Sequence, residues 1–350
     1  MARRTMLDNF RGIGYGIMPD WVPRWRMGSP DPDSPAVMAG AMSVLQPPGA
    51  APQMMGAPGL REWKDMWGVP YVNNEETGYA GLPKPGDFIM PDVTKWDQVI
   101  KHPQDINEAV ANADWETLAA EATKNIDRSD KGVVSGVGFM PFQQLMGFMG
   151  FTEGLCAIIE EPDAVIELLN YIADYYVPVT EKVVDYFKPD FLYLLDDTAS
   201  KYSTFFSMDS YRKVFKPIYV KLTEYGVQRG IPVILHNCGR CEDQIDEFLD
   251  FGVRYWDPAQ TDNDLLGIKE KYQGKLGICG AFDFVPEQGS EITEEVVRQK
   301  VRDTLNKYAQ GGGYAFGGNI LGRVDNAELV TEANGWIADE YRKISPDFYK

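Results

Sequence analysis

Basic residues are in short supply. Lys and Arg number 34 against 52 Asp and Glu, which leaves a net charge of −18. Such a surface repels nucleic acid and anionic membranes, and no basic stripe offsets it. Long hydrophobic runs are also missing: none approaches the roughly 18 residues that a spanning helix needs. The opening Met1-Ala2-Arg3-Arg4 has charge but no apolar h-region behind it, so a secretory signal is not expected. Four cysteines in 350 residues are too few for a disulfide framework. These absences lead to the expectation of a cytoplasmic protein with reduced thiols and no affinity for nucleic acid or membrane.

What remains is ample core, with 44% of residues hydrophobic, enough for one large domain or two modest ones. Residues 1–95 read differently from 96–350. The stretch Gly28–Gly59 is dense in Pro, Gly and Met, and its apolar content suggests a lid folded over a site rather than a polar loop. Further along, apolar runs alternate with helical patterns. Phe191–Leu195, Pro232–Leu235, Val253–Trp256, Lys275–Cys279 and Tyr314–Phe316 read as strands. Pro162 opens one helix, while Ser207 and Thr293 cap two others. Repeated strand-helix units predict a parallel sheet wrapped by helices. With Val133–Gly138 and two weaker strands at Trp21–Trp25 and Val69–Val72, the count is about eight. That favours a closed (β/α)8 barrel over an open sheet, with residues 1–95 packed on it as an N-terminal extension and the whole forming one structural domain.

Polar residues then punctuate the strand ends, where such barrels place function. Two histidines exist in the chain, and His236 stands two residues from Cys238. On a strand, that spacing points imidazole and thiol the same way, and both are good zinc donors. A third ligand is expected from Cys279, at another strand end, or else from Cys241, which the turn into a helix would carry off the barrel axis. Cys156 reads as core and His102 as surface. Asp196 and Asp197 are adjacent, so one alone should face the site, as a fourth ligand, proton donor or hydrogen-bond acceptor. Asp257 and Asp283 have weaker claims. The stripe from Phe139 to Phe151 is rich in Met and Phe. Its composition suits core, yet it follows a strand end, so Met140, Phe142 and Met146, with Trp21 beside the lid, are candidate substrate-binding residues. The Gly311–Gly313 and Gly317-Gly318 runs lack the spacing of any phosphate loop.

Leu195-Asp196-Asp197, Leu235-His236-Asn237-Cys238-Gly239, Gly280-Ala281-Phe282-Asp283 and Gly312-Gly313-Tyr314 occur in the order seen in the uroporphyrinogen-decarboxylase superfamily. So do Pro19-Asp20-Trp21-Val22-Pro23 and the Glu161-Pro162 helix start. The resemblance covers most of the chain, residues 28–60 least well, and implies a (β/α)8 barrel. The His-x-Cys pair resembles the corrinoid-dependent methyltransferases of that superfamily, which bind zinc. Arg24 and Arg26 only faintly echo the arginine-rich motif of its decarboxylases. The Gly-Cys that supplies a third zinc cysteine in the thiol-methylating branch is replaced by Gly317-Gly318-Asn319. The chain looks more like the methyltransferase that opens O-demethylation, taking methyl from an aryl methyl ether such as vanillate or veratrol. No Asp-x-His-x-x-Gly corrinoid motif is present, so the cobalamin is expected on a separate partner protein. The implied site is Zn2+ on His236, Cys238 and Cys279, with Asp196 or Asp197 as catalytic carboxylate. Rival expectations are transfer from a methylcorrinoid to tetrahydrofolate or a thiol, a porphyrinogen-type decarboxylase, and a non-catalytic binding module for corrinoid proteins.

Overall fold

The computed structural model describes residues 3–26, 31–47, 61–74, 77, 81–283, 292–320 and 327–350. Among the described residues ten strands are formed: β1 (Ala36–Met38), β2 (Glu62–Lys64), β3 (Pro70–Val72), β4 (Leu82–Pro83), β5 (Gly132–Gly136), β6 (Phe191–Leu195), β7 (Val233–His236), β8 (Val253–Ala259), β9 (Gly277–Gly280) and β10 (Tyr314–Phe316). Seven of them make one parallel sheet in the order β1-β5-β6-β7-β8-β9-β10. Beyond β10, Arg24 bridges Phe316 in parallel, so the Trp21–Trp25 segment takes an eighth position. The architecture is an α/β barrel of the TIM type.

Helices separate the barrel strands as the apolar periodicity predicts. Pro162–Phe187 lies between β5 and β6, Lys216–Val227 between β6 and β7, and Glu294–Tyr308 between β9 and β10. Pro162 occupies the first turn of its helix. Thr293 accepts the Val296 backbone N–H, and Ser207 accepts that of Ser210.

Strand alternation splits the core in two. Ala36, Val134, Phe191, Tyr193, Ile234, Tyr255, Cys279 and Ala315 face inward with Trp25 and fill the barrel. The helix Met6–Ile13 closes its N-terminal end: Met6 donates to the Asp130 carboxylate just ahead of β5. Phe10 stacks on both Trp25 and Tyr255, with ring centroids 5.3 and 4.8 Å away. A larger core of alternate strand residues and helix faces surrounds the sheet. Among the described residues, no helix is long and apolar enough to cross a membrane.

Four expectations change. Val69–Val72 does not join the barrel; Pro70–Val72 is the centre of a small antiparallel sheet, β2-β3-β4, where Tyr71 stacks on Trp63. Ala36–Met38, inside the stretch read as a lid, is the barrel's edge strand and pairs with β5; residues 27–30 and 48–60 of that neighbourhood lie outside the described residues. Cys156 is exposed, because the buried face of its helix is set by Gly154, Ala157 and Ile158. His102 is half-buried rather than on the surface. Its ring stacks on Tyr171 at 4.0 Å and shares a 2.9 Å hydrogen bond with the Tyr171 carbonyl.

Candidate metal centre

β6 and β7 run side by side with Leu195 opposite His236, which sets the geometry at the barrel mouth. Side chains alternate along a strand, and the two aspartates after Leu195 part company accordingly. Asp196 turns outward and is 1% exposed. Its carboxylate accepts the Phe142 and Gln143 backbone N–H groups at 2.7 and 3.0 Å and the Tyr219 hydroxyl at 2.7 Å. It thereby caps the positive end of the helix Pro141–Met149. Burial pushes its pKa up to about 7, against the lowering effect of those hydrogen bonds. Asp196 holds the wall of the site rather than entering it.

Asp197 enters. One ligand atom each from Asp197, His236 and Cys238 lies within 4.8 Å of the others. The Cys238 sulfur is 3.5 Å from His236 Nε2, and Asp197 Oδ1 is 3.8 Å from the same nitrogen. Asp197 is fixed twice: its Oδ1 accepts the Cys238 backbone N–H at 2.8 Å, and its Oδ2 accepts Gln143 Nε2 at 3.3 Å. The turn after Cys238 is tight. Gly239 has φ +89°, and a Cβ there would fall 2.5 Å from the Ala199 carbonyl oxygen, so the position requires glycine.

Behind the imidazole stands a pair that the sequence did not single out together. The Tyr193 hydroxyl lies 2.9 Å from His236 Nδ1 and donates to Asp257 Oδ2 at 2.8 Å. Having given its proton to the carboxylate, the phenol oxygen can only accept from Nδ1–H. That order leaves Nε2 to face Cys238 and Asp197. Tyr193 stays a donor because burial, reinforced by Asp257, pushes its pKa well up. Burial works against a charged His236, yet the hydrogen bonds with Asp257 and Cys238 outweigh it and raise the imidazole well above its ordinary value. Burial also raises the Cys238 thiol, with His236 pulling the other way.

The remaining candidates are placed elsewhere. Cys279 is fully buried among the residues that fill the barrel and joins no group of three ligands among the described residues. It stands two strands from β7, with β8 and its Asp257 between, roughly 10 Å at ordinary strand spacing. The third member of the group that could hold an ion is Asp197. Cys241 is buried, its thiol 3.8 Å from the Asn237 carbonyl, off the barrel axis as expected. Trp21 lies at the opposite end of the barrel, in a pocket with Arg3, Met6 and Asp130, because it precedes the bridge at Arg24 and so falls at the strand beginnings. Phe142 is core, its ring packed against Phe151, Phe205, Phe206 and Phe215, and Met146 is buried against Gly154. Met140, just before that helix, is half-buried. Asp283 accepts the Thr261 backbone N–H. Arg24 points away from the barrel interior, paired with Asp31 at 3.0 Å.

One sulfur, one nitrogen and one carboxylate oxygen form a donor set that zinc accepts, and three protein donors leave a position for an exogenous ligand. The Asp257–Tyr193–His236 chain is the outer support by which metal-binding histidines are oriented. The residues present therefore fit a zinc ion.

Residues 89–321 match the family described as uroporphyrinogen decarboxylase (URO-D). A methyltransferase from Methanosarcina mazei has a similar structure, with a TM-score of 0.57 at 15% identity over 97% of this chain and 100% of that one. At such identity the likeness is one of fold. No curated protein matches the sequence significantly. The family match spans more than half of the chain, and the chain belongs to the URO-D family.

Proposed function

We propose that this URO-D family member is a zinc-dependent methyltransferase that passes the methyl group of a small aryl methyl ether to the Co(I) of a separate corrinoid protein. The observation that carries the reading is the convergence of Asp197, His236 and Cys238 at the mouth of the barrel. Two things support it: the resemblance of the His-x-Cys strand end to corrinoid methyltransferases, and a structural neighbour that is itself named a methyltransferase.

Asp197, His236 and Cys238 would hold the ion; when bound, zinc supplies Lewis acidity to the oxygen that parts with its methyl group. The need is real, since a phenol has a pKa near 10 and its anion is a poor leaving group. In the transfer, the carbon–oxygen bond breaks, its electron pair stays on the aryl oxygen, and the methyl group goes to the partner's cobalt. Tyr193 and Asp257 keep the imidazole in the Nδ1–H tautomer, whose Nε2 lone pair would bind the ion. Gln143 and the Cys238 backbone aim the Asp197 carboxylate. A set with one thiolate and one carboxylate carries the same formal charge as one with two thiolates, but the harder carboxylate oxygen gives the ion less electron density than a second sulfur would. That favours drawing electrons from an ether oxygen over transfer to a thiol. Of the two arginines that echo the decarboxylase motif, Arg24 is paired with Asp31 outside the barrel interior, which weighs against that reading.

The test is metal analysis joined to a methyl-transfer assay with 1,2-dimethoxybenzene and a Co(I) corrinoid protein. About one zinc per chain and transfer that Cys238→Ala abolishes are expected. Full transfer by metal-free protein contradicts the reading.

A further inference from the structure

Asn237 stands between His236 and Cys238, and Thr198 follows Asp197. Alternation along β7 turns the Asn237 side chain away from the side that His236 and Cys238 share. Asn237 and Thr198 are each 1% exposed, and they meet. Asn237 Oδ1 accepts the Thr198 backbone N–H at 2.9 Å, while Asn237 Nδ2 donates to Thr198 Oγ1 at 2.8 Å. Gln244, fully buried in the short turn Glu242–Gln244, completes a triangle. Its Oε1 accepts from Thr198 Oγ1 at 2.8 Å and from Asn237 Nδ2 at 3.1 Å.

The direction of these bonds is fixed. A backbone N–H can only donate, so the Thr198 N–H decides which end of the Asn237 amide faces it. The amide nitrogen is thereby turned to Thr198 Oγ1, which accepts there and gives its own proton to Gln244. Gln244 Nε2 is buried without a hydrogen-bond partner among the described residues, because turning that amide over would set N–H against N–H. No side chain of the three can rotate without breaking at least two bonds. Asn237 is also tied to β8: its backbone N–H donates to the Asp257 carbonyl at 2.9 Å, and its own carbonyl accepts Trp256 Nε1 at 2.9 Å. β8 thus holds Asn237, Asn237 holds Thr198, and Thr198 carries Asp197 with it. Precision matters here, since zinc bonds to nitrogen and oxygen are about 2 Å long and tolerate only a few tenths of an ångström.

We propose that Asn237 and Thr198 are the positioning residues of this centre, their side-chain pair setting the Asp197 carboxylate at the distance from His236 and Cys238 that one divalent ion spans. The inference rests on the reading of those three as metal donors and needs no methyl transfer. Titration of the purified full chain with zinc, together with optical spectra of its cobalt(II) form, tests it. Asn237→Ala removes the amide; Thr198→Val removes the hydroxyl at nearly constant volume, so the test survives if Asn237→Ala fails to fold. Each should weaken zinc binding by roughly tenfold or more, as loss of an outer partner does. Each should also alter the cobalt d–d bands as water replaces the carboxylate, while the sulfur-to-cobalt charge-transfer band of Cys238 persists. Thr198→Ser, which restores the hydroxyl, should return both readouts to those of the wild type. Val301→Ala, a core truncation in the helix Glu294–Tyr308, lowers stability and should move neither. Folded Asn237→Ala and Thr198→Val proteins that bind zinc as the wild type does, or losses that Val301→Ala reproduces, overturn the clamp and leave the metal centre standing. A wild type with no affinity for zinc or cobalt overturns both. Zinc binding weakened by Thr198→Val, in a protein that transfers no methyl group, upholds the clamp and sinks the methyl-transfer reading alone.

Discussion

Replacing Tyr193 by Phe removes one oxygen atom and two hydrogen bonds. The hydroxyl now bridges His236 Nδ1 at 2.9 Å and Asp257 Oδ2 at 2.8 Å. Without it, the imidazole and the carboxylate face each other across 3.4 Å, longer than a strong charge-assisted bond. Asp257 is buried and would keep only that long contact with His236 Nδ1. A hydrogen bond to a charged group contributes about 1.5–3 kcal/mol. At about 1.4 kcal/mol per factor of ten, the loss predicts roughly tenfold to hundredfold weaker zinc binding, the range known for outer partners of metal-binding histidines. Competition against a chromophoric chelator at fixed pH measures this directly. Melting of the metal-free variant reports any loss of fold separately. A folded Tyr193→Phe that binds zinc as tightly as the wild type would refute the assignment of Tyr193 as the residue orienting His236.

Other consequences can be checked alongside. His236 and Cys238 both have raised pKa values and must shed their protons to ligate, so zinc affinity should climb with pH through neutrality and release up to about two protons per ion; calorimetry in buffers of differing ionisation enthalpy would show this, and pH-independent affinity would count against the ligand set. Asp196→Ala strips the helix Pro141–Met149 of its anchor and should cost about 2–4 kcal/mol of stability, read by denaturant unfolding. Because folding raises the Asp196 carboxyl to about 7, its contribution favours the fold in acid. That contribution fades as pH climbs from the ordinary carboxylate range to about 7, and Asp196→Asn should flatten this dependence. Gly239→Ala forces a left-handed backbone and a clash with the Ala199 carbonyl. A loss of at least about 2 kcal/mol and of metal binding is expected; a stable, zinc-loaded Gly239→Ala would show the turn to be more forgiving.

The barrel was legible because its strands are apolar runs with polar ends, and His236 and Cys238 because a period of two puts them on one side of β7. The same period foretold that Asp196 and Asp197 would part, but not which would enter: that depends on where the helix Pro141–Met149 presents its backbone N–H groups. Cys279 misled for a related reason. Its place at a strand end was read correctly, but distance around the barrel is counted in strands, and two of them exceed the reach of a shared ion. Tyr193 was missed because a tyrosine inside Phe191–Leu195 reads as core; its inward parity, two residues before Leu195, was the available signal. Trp21 was assigned to the wrong end of the barrel, since nothing in its neighbourhood tells where the short Arg24 bridge begins. Pro70–Val72 has the composition of a barrel strand, and only its antiparallel pairing with β2 and β4 tells it apart.

Everything proposed for function turns on which atoms meet at the barrel mouth. Zinc-edge X-ray absorption on the metal-loaded wild type reads those atoms without reference to turnover. One sulfur, one imidazole nitrogen and light oxygen donors are expected, with the sulfur lost in Cys238→Ala and retained in Cys279→Ala. Two sulfurs around the ion, or a sulfur that disappears with Cys279→Ala, would contradict a centre built from Asp197, His236 and Cys238.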